Sequence, residues 1–175
     1  LVVITKVWEI LRAFASFGFC KAHAAAFALP TYQSAWLKTH YPAEFIAGVL
    51  THDPGMYPKR LILDEARQMG IVLAPLDVNK SDSTYRVEEH EGAQAIRIAL
   101  STISGISDQE ITSIIKGRPY LDIADFIARS GASTPVTESL ILTGGFDELH
   151  SIGTGEINHR DLLLHLNDIE KSHSA

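Results

Sequence analysis

One short stretch of the sequence has the residue types of a phosphate-binding turn. Gly105 and Ile106 precede Ser107, and an Ile-rich segment then ends in Lys116 and Arg118. Glycine lets the backbone approach a ligand closely, and free N–H groups at the start of the following helix point toward an anion. The stretch therefore predicts contacts between these five residues and a phosphodiester backbone.

The order of these residues resembles the helix-hairpin-helix motif of DNA-binding proteins, in which a Gly-apolar-Gly turn separates two helices. Here Ser107 replaces the second glycine, and together with Glu110 it forms the S-x-x-E pattern of a capping box. Such a box uses N–H donors that could otherwise bind phosphate. The sequence therefore leaves two interpretations open, a contact with the DNA backbone and a purely structural hairpin.

A looser copy of the motif occurs at residues 140–149, where Gly144 and Gly145 precede an apolar residue and two acids. Gly-Gly is common at the C-terminal end of an ordinary helix, and the acids would repel a phosphate. We interpret this copy as a helix terminus.

A second stretch gathers positive charge at the start of a helix. Lys21 and His23 follow Gly18 and begin an alanine-rich segment. The helix dipole favours anions at this end, so the pattern predicts a pocket for a triphosphate or a phosphodiester. A solvated rim is the alternative interpretation of the same Lys and His pair.

The sequence offers little for metal or nucleophilic chemistry. No two of the eight histidines stand at the i, i+4 spacing of a metal site on a helix, and Cys20 lacks a catalytic context. The acids of the C-terminal half are scattered singly. We therefore predict no cofactor, no metal and no catalytic residue within this chain.

Helical periodicity dominates the elements that must carry these residues. Trp8 and Trp36 fall within apolar stripes and are predicted to be core residues, and Pro30 predicts a kink or two abutting helices. Alternating apolar residues predict a β-hairpin around the loop 89–92, with Arg97 on its open face. We predict a mainly α fold with helices at about 4–17, 22–40, 42–50, 57–69, 108–116, 122–129, 136–143 and 158–170, and a strand or extended linker at 71–76.

The charge of the 175 residues is unevenly distributed. The formal net charge is −6, yet residues 1–60 carry six bases and three acids. The overall acidity argues against a protein that binds nucleic acid by itself. A single cysteine is typical of a reducing compartment, which predicts a cytoplasmic location, and no apolar run approaches the roughly 20 residues that span a membrane. The chain starts without Met and enters a helix directly, so we expect a piece of a longer protein.

Larger blocks of the sequence resemble one family. Residues 14–29 and 32–45 are similar to the signature of the fingers domain of the bacterial DNA polymerase III alpha subunits, the C-family DNA polymerases. Four shorter blocks follow in the order and spacing of that family: 67–71, 76–79, 96–100 and 144–147.

The resemblance implies a domain organisation. Residues 1–80 would be the C-terminal part of the fingers, residues 81–149 a small β-hairpin with a tandem helix-hairpin-helix domain, and residues 150–175 a tail helix. The fold class is then a helical fingers segment followed by the hairpin and the tandem helix-hairpin-helix region.

The resemblance also implies partners and roles. Lys21, His23 and Lys38 would contact the incoming deoxynucleoside triphosphate and the primer–template, and Arg97 would join the residues that contact the duplex backbone. The other polymerase domains and the holoenzyme subunits would be protein partners, and no membrane would be involved. The aspartates of the palm, which hold Mg²⁺ in this family, would lie upstream, so we expect this chain alone to be inactive.

Two other functions stay open at this point. The chain could be a protein-interaction module without enzymatic activity, docking through apolar helices. It could also be part of a helix-hairpin-helix repair glycosylase or nuclease, in which Asp122 or Asp125 would be the catalytic acid; both acids fit better in the first turn of a helix.

Overall fold

The computed structural model describes residues 2–15, 21–53, 55–154 and 156–173. The chain divides into two compact units, unit 1 with residues 1–41 and unit 2 with residues 42–175. The described residues form these helices and strands: α1 (Val2–Ala15), α2 (Lys21–His40), α3 (Pro42–His52), α4 (Lys59–Gln68), β1 (Val72–Ala74), β2 (Arg86–His90), β3 (Ala93–Arg97), α5 (Asp108–Lys116), α6 (Ile123–Ser130), α7 (Thr134–Leu142) and α8 (His159–His173).

The predicted mainly α fold is confirmed, and each predicted helix is present with ends within a few residues of those expected. For the segment 71–76 the sequence left a strand or an extended linker open, and the structure shows a strand, β1. The predicted domain limits at residues 80 and 149 follow family roles and stay a prediction. Among the helices of the described residues, none combines the length and apolar character needed to cross a membrane.

Unit 1 differs from the sequence prediction in two ways. The α2 helix continues through Pro30 as one element, which excludes two abutting helices and leaves a kink at Pro30 as the prediction. Proline removes a single hydrogen bond, and the neighbouring turns hold the helix. Trp8 and Trp36 are 66% and 43% exposed, so their placement in the core is also wrong. Periodicity identifies an apolar stripe, but burial requires a surface that packs against it.

Unit 2 begins with a helical layer on a three-stranded sheet. The strand order is β1-β3-β2, with β3 parallel to β1 and antiparallel to β2. The central strand places Ile96 opposite Val87, and its apolar face packs with α3 and α4. The residues of this first core include Ala43, Ile46, Leu50, Ile62, Ala66, Ile71, Tyr85 and Ile96.

The rest of unit 2 is a set of short helices around a second core. A 3-10 turn at Leu100–Thr102 leads into α5, and α6, α7 and α8 follow. Phe126 lies at the centre, with its ring edge-to-face against Tyr120 and Phe146 at centroid distances of 4.8 and 5.0 Å. This core fixes the loops between the helices, and those loops carry the candidate site.

Candidate nucleic-acid interface

The hairpin turn between the 3-10 turn and α5 presents its backbone to solvent. Gly105 has a φ of +81°, a conformation that favours glycine. A side chain at this position would meet no atom within 4 Å, so the requirement for glycine comes from the backbone conformation alone. Ile103 is buried and Ile106 half-buried, whereas Ser107 is exposed. The buried Ile103 therefore attaches the turn to the core, while Gly105 and Ser107 are open to solvent.

The predicted capping box is confirmed. The Ser107 Oγ accepts a hydrogen bond from the Glu110 N–H at 3.2 Å, and the Glu110 Oε2 accepts one from the Ser107 N–H at 2.9 Å. The Ser107 hydroxyl donates to the same carboxylate oxygen at 2.8 Å. The Ser107 N–H is thus used within the protein, as the structural interpretation of the hairpin expects.

The other oxygen of Glu110 binds a second helix start. Glu110 Oε1 accepts hydrogen bonds from the N–H of Ser133 at 3.0 Å and from its hydroxyl at 2.8 Å. Ser133 is the residue that precedes α7, so one carboxylate joins the starts of two helices. These hydrogen bonds to Ser133 and Ser107 lower the pKa of Glu110 to about 2.

The lowered pKa of Glu110 predicts a stability loss in acid. Its ordinary pKa is 4.5, so the carboxylate contributes fully above that value and loses its contribution as the pH falls toward about 2. We expect the free energy of unfolding to drop between about pH 5 and about pH 2, measured by urea titration. Glu110→Gln, which does not titrate, should show a smaller drop. An equal drop in the variant would contradict the assignment.

Of the three cations predicted to contact the duplex backbone, Arg97, Lys116 and Arg118, Lys116 has an exposed side chain. It lies exposed at the C-terminal end of α5 and lines an open cleft of about 480 Å³ with Ser83, Asp108 and Ile111. Within the described part of the chain, no carboxylate lies within ion-pair distance of its ammonium group. The ammonium can therefore approach an external anion.

Arg97 is not on an open face, and that prediction is wrong. Its side chain is 2% exposed. The guanidinium forms an ion pair with Glu88 through two of its nitrogens and donates to the Pro75 carbonyl at 2.7 Å. The cause is the position of β3 in the centre of the sheet, between β2, which carries Glu88, and β1, which Pro75 follows directly. A contact with DNA would require this side chain to leave its pocket.

Arg118 is also bound within the protein. Its Nε donates to the Val78 carbonyl at 2.7 Å, and a second nitrogen donates to the Ser81 carbonyl. Burial lowers the pKa of this guanidinium below its ordinary value. Asn79 binds the Tyr120 backbone through both ends of its amide, at 2.8 and 2.9 Å. Arg118 and Asn79 together attach the loop after β1 to the turn after α5.

Sequence reasoning missed Arg129. Its guanidinium pairs with Asp125, donates to the carbonyls of Gly117 and Pro119, and lies 4.9 Å from the centre of the Tyr120 ring. The i, i+4 spacing of Asp125 and Arg129 on α6 is the one signal of the pair in the sequence. Arg129 holds the turn that follows Lys116.

The second glycine turn is a helix terminus, as predicted. The Gly144 N–H donates to Ile141 at 3.2 Å and the Gly145 N–H to Leu140 at 2.7 Å, which is the Schellman pattern. Asp122, a candidate catalytic acid, accepts a hydrogen bond from the Asp125 N–H at 2.7 Å as the cap of α6. With Asp125 paired to Arg129, both acids have structural partners.

The cations of unit 1 do not form one site. Lys21 and His23 are exposed in the first turn of α2, where the His23 ring lies edge-on to Phe27 at 4.6 Å. Lys38 is in the last turn, about 25 Å along the helix at the usual rise per residue. One small ligand cannot contact both ends. Gly18 and Cys20 lie outside the described residues.

The described geometry is that of a helix-hairpin-helix protein, and comparison with known proteins agrees. A family model described as "Helix-hairpin-helix motif" matches residues 70–153. An error-prone DNA polymerase of Bdellovibrio bacteriovorus is 37% identical over 169 residues, covering 94% of this chain and 15% of the relative. The DNA polymerase III alpha subunit of Vibrio cholerae is 38% identical over 152 residues, covering 82% of this chain and 13% of the relative.

A second error-prone DNA polymerase, from Symbiobacterium thermophilum, is 34% identical over 174 residues, covering 85% of this chain and 16% of the relative. The chain belongs to the family of bacterial DNA polymerase III alpha subunits and error-prone DNA polymerases. It spans about one sixth or less of the length of these relatives.

Proposed function

We propose that this chain acts as part of a template-directed DNA polymerase, a nucleotidyltransferase, in which unit 2 holds the primer–template duplex. One observation carries the proposal for unit 2. The exposed turn at Gly105 and the unpaired ammonium of Lys116 flank α5 of a helix-hairpin-helix fold. The names of the relatives support the polymerase context.

The contact with DNA is proposed to be independent of base sequence. An open backbone turn and a single cation suit phosphate oxygens, which are the same at every step of a duplex. Gly105, Ile106 and Ser107 would pack against one strand, with the Ser107 N–H and hydroxyl retained by Glu110. Lys116, at the other end of α5, would bind a second phosphate. Arg97 and Arg118 would support this surface from within.

Unit 1 is proposed to serve the incoming nucleotide and the primer–template. Lys21 and His23 would bind at one end of α2, and Lys38 would make a separate contact at the other end. The family resemblance and the exposure of Lys21 and His23 support this role.

The remaining partners are proposed from the family. Other polymerase domains and holoenzyme subunits would complete the enzyme, and the location would be the cytoplasm. Mg²⁺ would serve nucleotidyl transfer in the parent enzyme. The described residues contain no group of three or more histidine, cysteine, aspartate or glutamate side chains that could hold a metal ion, so no step through Mg²⁺ is assigned to this chain.

The duplex contact can be tested with the 175-residue chain and a short fluorescein-labelled duplex, by anisotropy at increasing salt. We expect weak binding that decreases linearly on a logarithmic scale, with a slope of about −0.9 per phosphate contact. Two duplexes of unrelated sequence should bind equally. Binding that does not depend on salt, or no binding at any ionic strength, would contradict the proposed function.

Lys116→Gln should weaken duplex binding and leave stability unchanged. Loss of one phosphate contact should reduce the salt slope by about 0.9 and the affinity about threefold at low salt. The matched control is Lys171→Gln, which removes the same charge from the exposed surface of α8. Equal effects of the two substitutions would show that only net charge matters and would exclude a contact at Lys116.

A further inference from the structure

We propose that Glu110 is a positioning residue that sets the orientation of α5 relative to α7, and thereby the position of the exposed turn at Gly105 that is proposed to contact DNA. The proposal rests on the proposed function for its DNA readout. Its geometric part concerns the protein alone and can be tested without DNA.

The hydrogen bonds of Glu110 connect two helices that otherwise have different neighbours. Ser107 precedes α5 and donates to one carboxylate oxygen, while Ser133 precedes α7 and donates to the other. The principal neighbour of α5 is α6, and that of α7 is α8. The carboxylate is therefore a polar link between α5 and the start of α7, in addition to the apolar core that both helices share.

The two linked helices carry the two glycine turns. The turn at Gly105 leads into α5, and α7 ends in the Schellman turn at Gly144. A rotation of α5 against α7 would move the exposed turn at Gly105 and leave the helix end at Gly144 in place. The orientation of α5 matters because a duplex presents its phosphates at fixed positions, and a displaced turn at Gly105 would lose its contact.

A simple capping role for Glu110 makes a different prediction. Glutamine at the fourth position of a capping box also accepts from the first residue, so Glu110→Gln keeps the link to the Ser107 N–H. Its amide nitrogen cannot accept from the Ser133 N–H. Glu110→Gln therefore removes the charged acceptor of the Ser133 N–H, weakens the bridge to a bond with the Ser133 hydroxyl and retains the local cap. Ser107→Ala removes the side chain of the cap and retains the bridge.

The first experiment measures the orientation of α5 and α7 in the 175-residue chain without DNA, by residual dipolar couplings of backbone amides. We expect Glu110→Gln to change the relative orientation and to speed hydrogen exchange at Ser133, while Ser107→Ala leaves both unchanged. Unchanged couplings in Glu110→Gln would overturn the proposal, whether or not the chain binds DNA.

The second experiment measures duplex affinity, with Asp108→Asn as the matched control. Asp108 lies exposed in the first turn of α5 and lines the cleft of Lys116, so its neutralisation reports the effect of removing one negative charge from this surface without changing the bonds of Glu110. Relative to that control, Glu110→Gln should bind about fivefold more weakly, as coupled sites do. Equal affinity would overturn the positioning role. Tighter binding would also overturn it, and would show that the carboxylate competes with phosphate. Absence of binding by the parent chain would count against the proposed function, and the first experiment would still decide the bridge.

Discussion

Phe126→Ala is expected to lower the free energy of unfolding by about 4 kcal/mol, the cost of removing a fully buried aromatic ring and leaving a cavity. Phe126 is 0% exposed and sits between the rings of Tyr120 and Phe146. The Tyr120 hydroxyl donates to the Ile114 carbonyl of α5 at 2.8 Å, so loss of the ring also loosens the helix that ends in Lys116. Denaturant titration followed by circular dichroism measures the change.

Two variants separate packing from surface effects. Leu121→Ala removes a side chain that is 78% exposed five residues before Phe126, and we expect a change within about 0.5 kcal/mol. Phe126→Leu keeps most of the volume and should cost about 1.5 kcal/mol. A cost of Phe126→Ala no larger than that of Leu121→Ala would show that this core does not hold the helices together.

Features set by neighbouring residues were predictable from the sequence. The capping box of Ser107 and Glu110 depends on residues three positions apart, and the structure confirms it. Pro42 at the start of α3 and Gly144 after α7 mark helix ends by their own backbone preferences. Each of these signals acts within one turn of helix, so the local sequence contains all of the information.

Features that depend on distant parts of the chain were not predictable. Alternation along β3 shows that Arg97 and Ile96 face opposite sides of the sheet, but it does not show which side is covered. The partners of Arg97 lie 9 and 22 residues away. Likewise, helical spacing does not show that Trp8 and Trp36 are exposed, because their exposure depends on what packs against them.

The candidate site shows the same division. The sequence located the turn and Lys116, because a glycine, a helix start and a terminal cation are local signals. It did not locate the bond from Glu110 to Ser133, which spans 23 residues and contains no recognisable motif. The sequence also predicted a DNA contact for Arg118. The two carbonyls that accept from its guanidinium lie 37 and 40 residues away, so the local sequence gives no sign of these bonds.

Arg97→Met is expected to lower the free energy of unfolding by about 2 kcal/mol, because it removes hydrogen bonds of a buried guanidinium and leaves the Pro75 carbonyl without its donor, while Glu88 is 31% exposed and can be solvated. Glu88 would lose the guanidinium, and the Pro75 carbonyl would lose its donor. Arg86 is the matched control, because it is the cross-strand neighbour of Arg97 on β2. Its side chain is 66% exposed and forms an ion pair with Asp82. For Arg86→Met we expect a change of about 0.5 kcal/mol.

The DNA affinity of the Arg97 variant distinguishes a structural role from a direct contact. At a temperature where Arg97→Met is still folded, its affinity for duplex and its salt slope should match those of the parent chain. Lys116→Gln should show the opposite, with a normal free energy of unfolding and a reduced slope. A reduced slope in folded Arg97→Met would mean that Arg97 reaches a phosphate. That result would require the sheet to open on binding, because the guanidinium is 2% exposed and paired with Glu88 in the free protein.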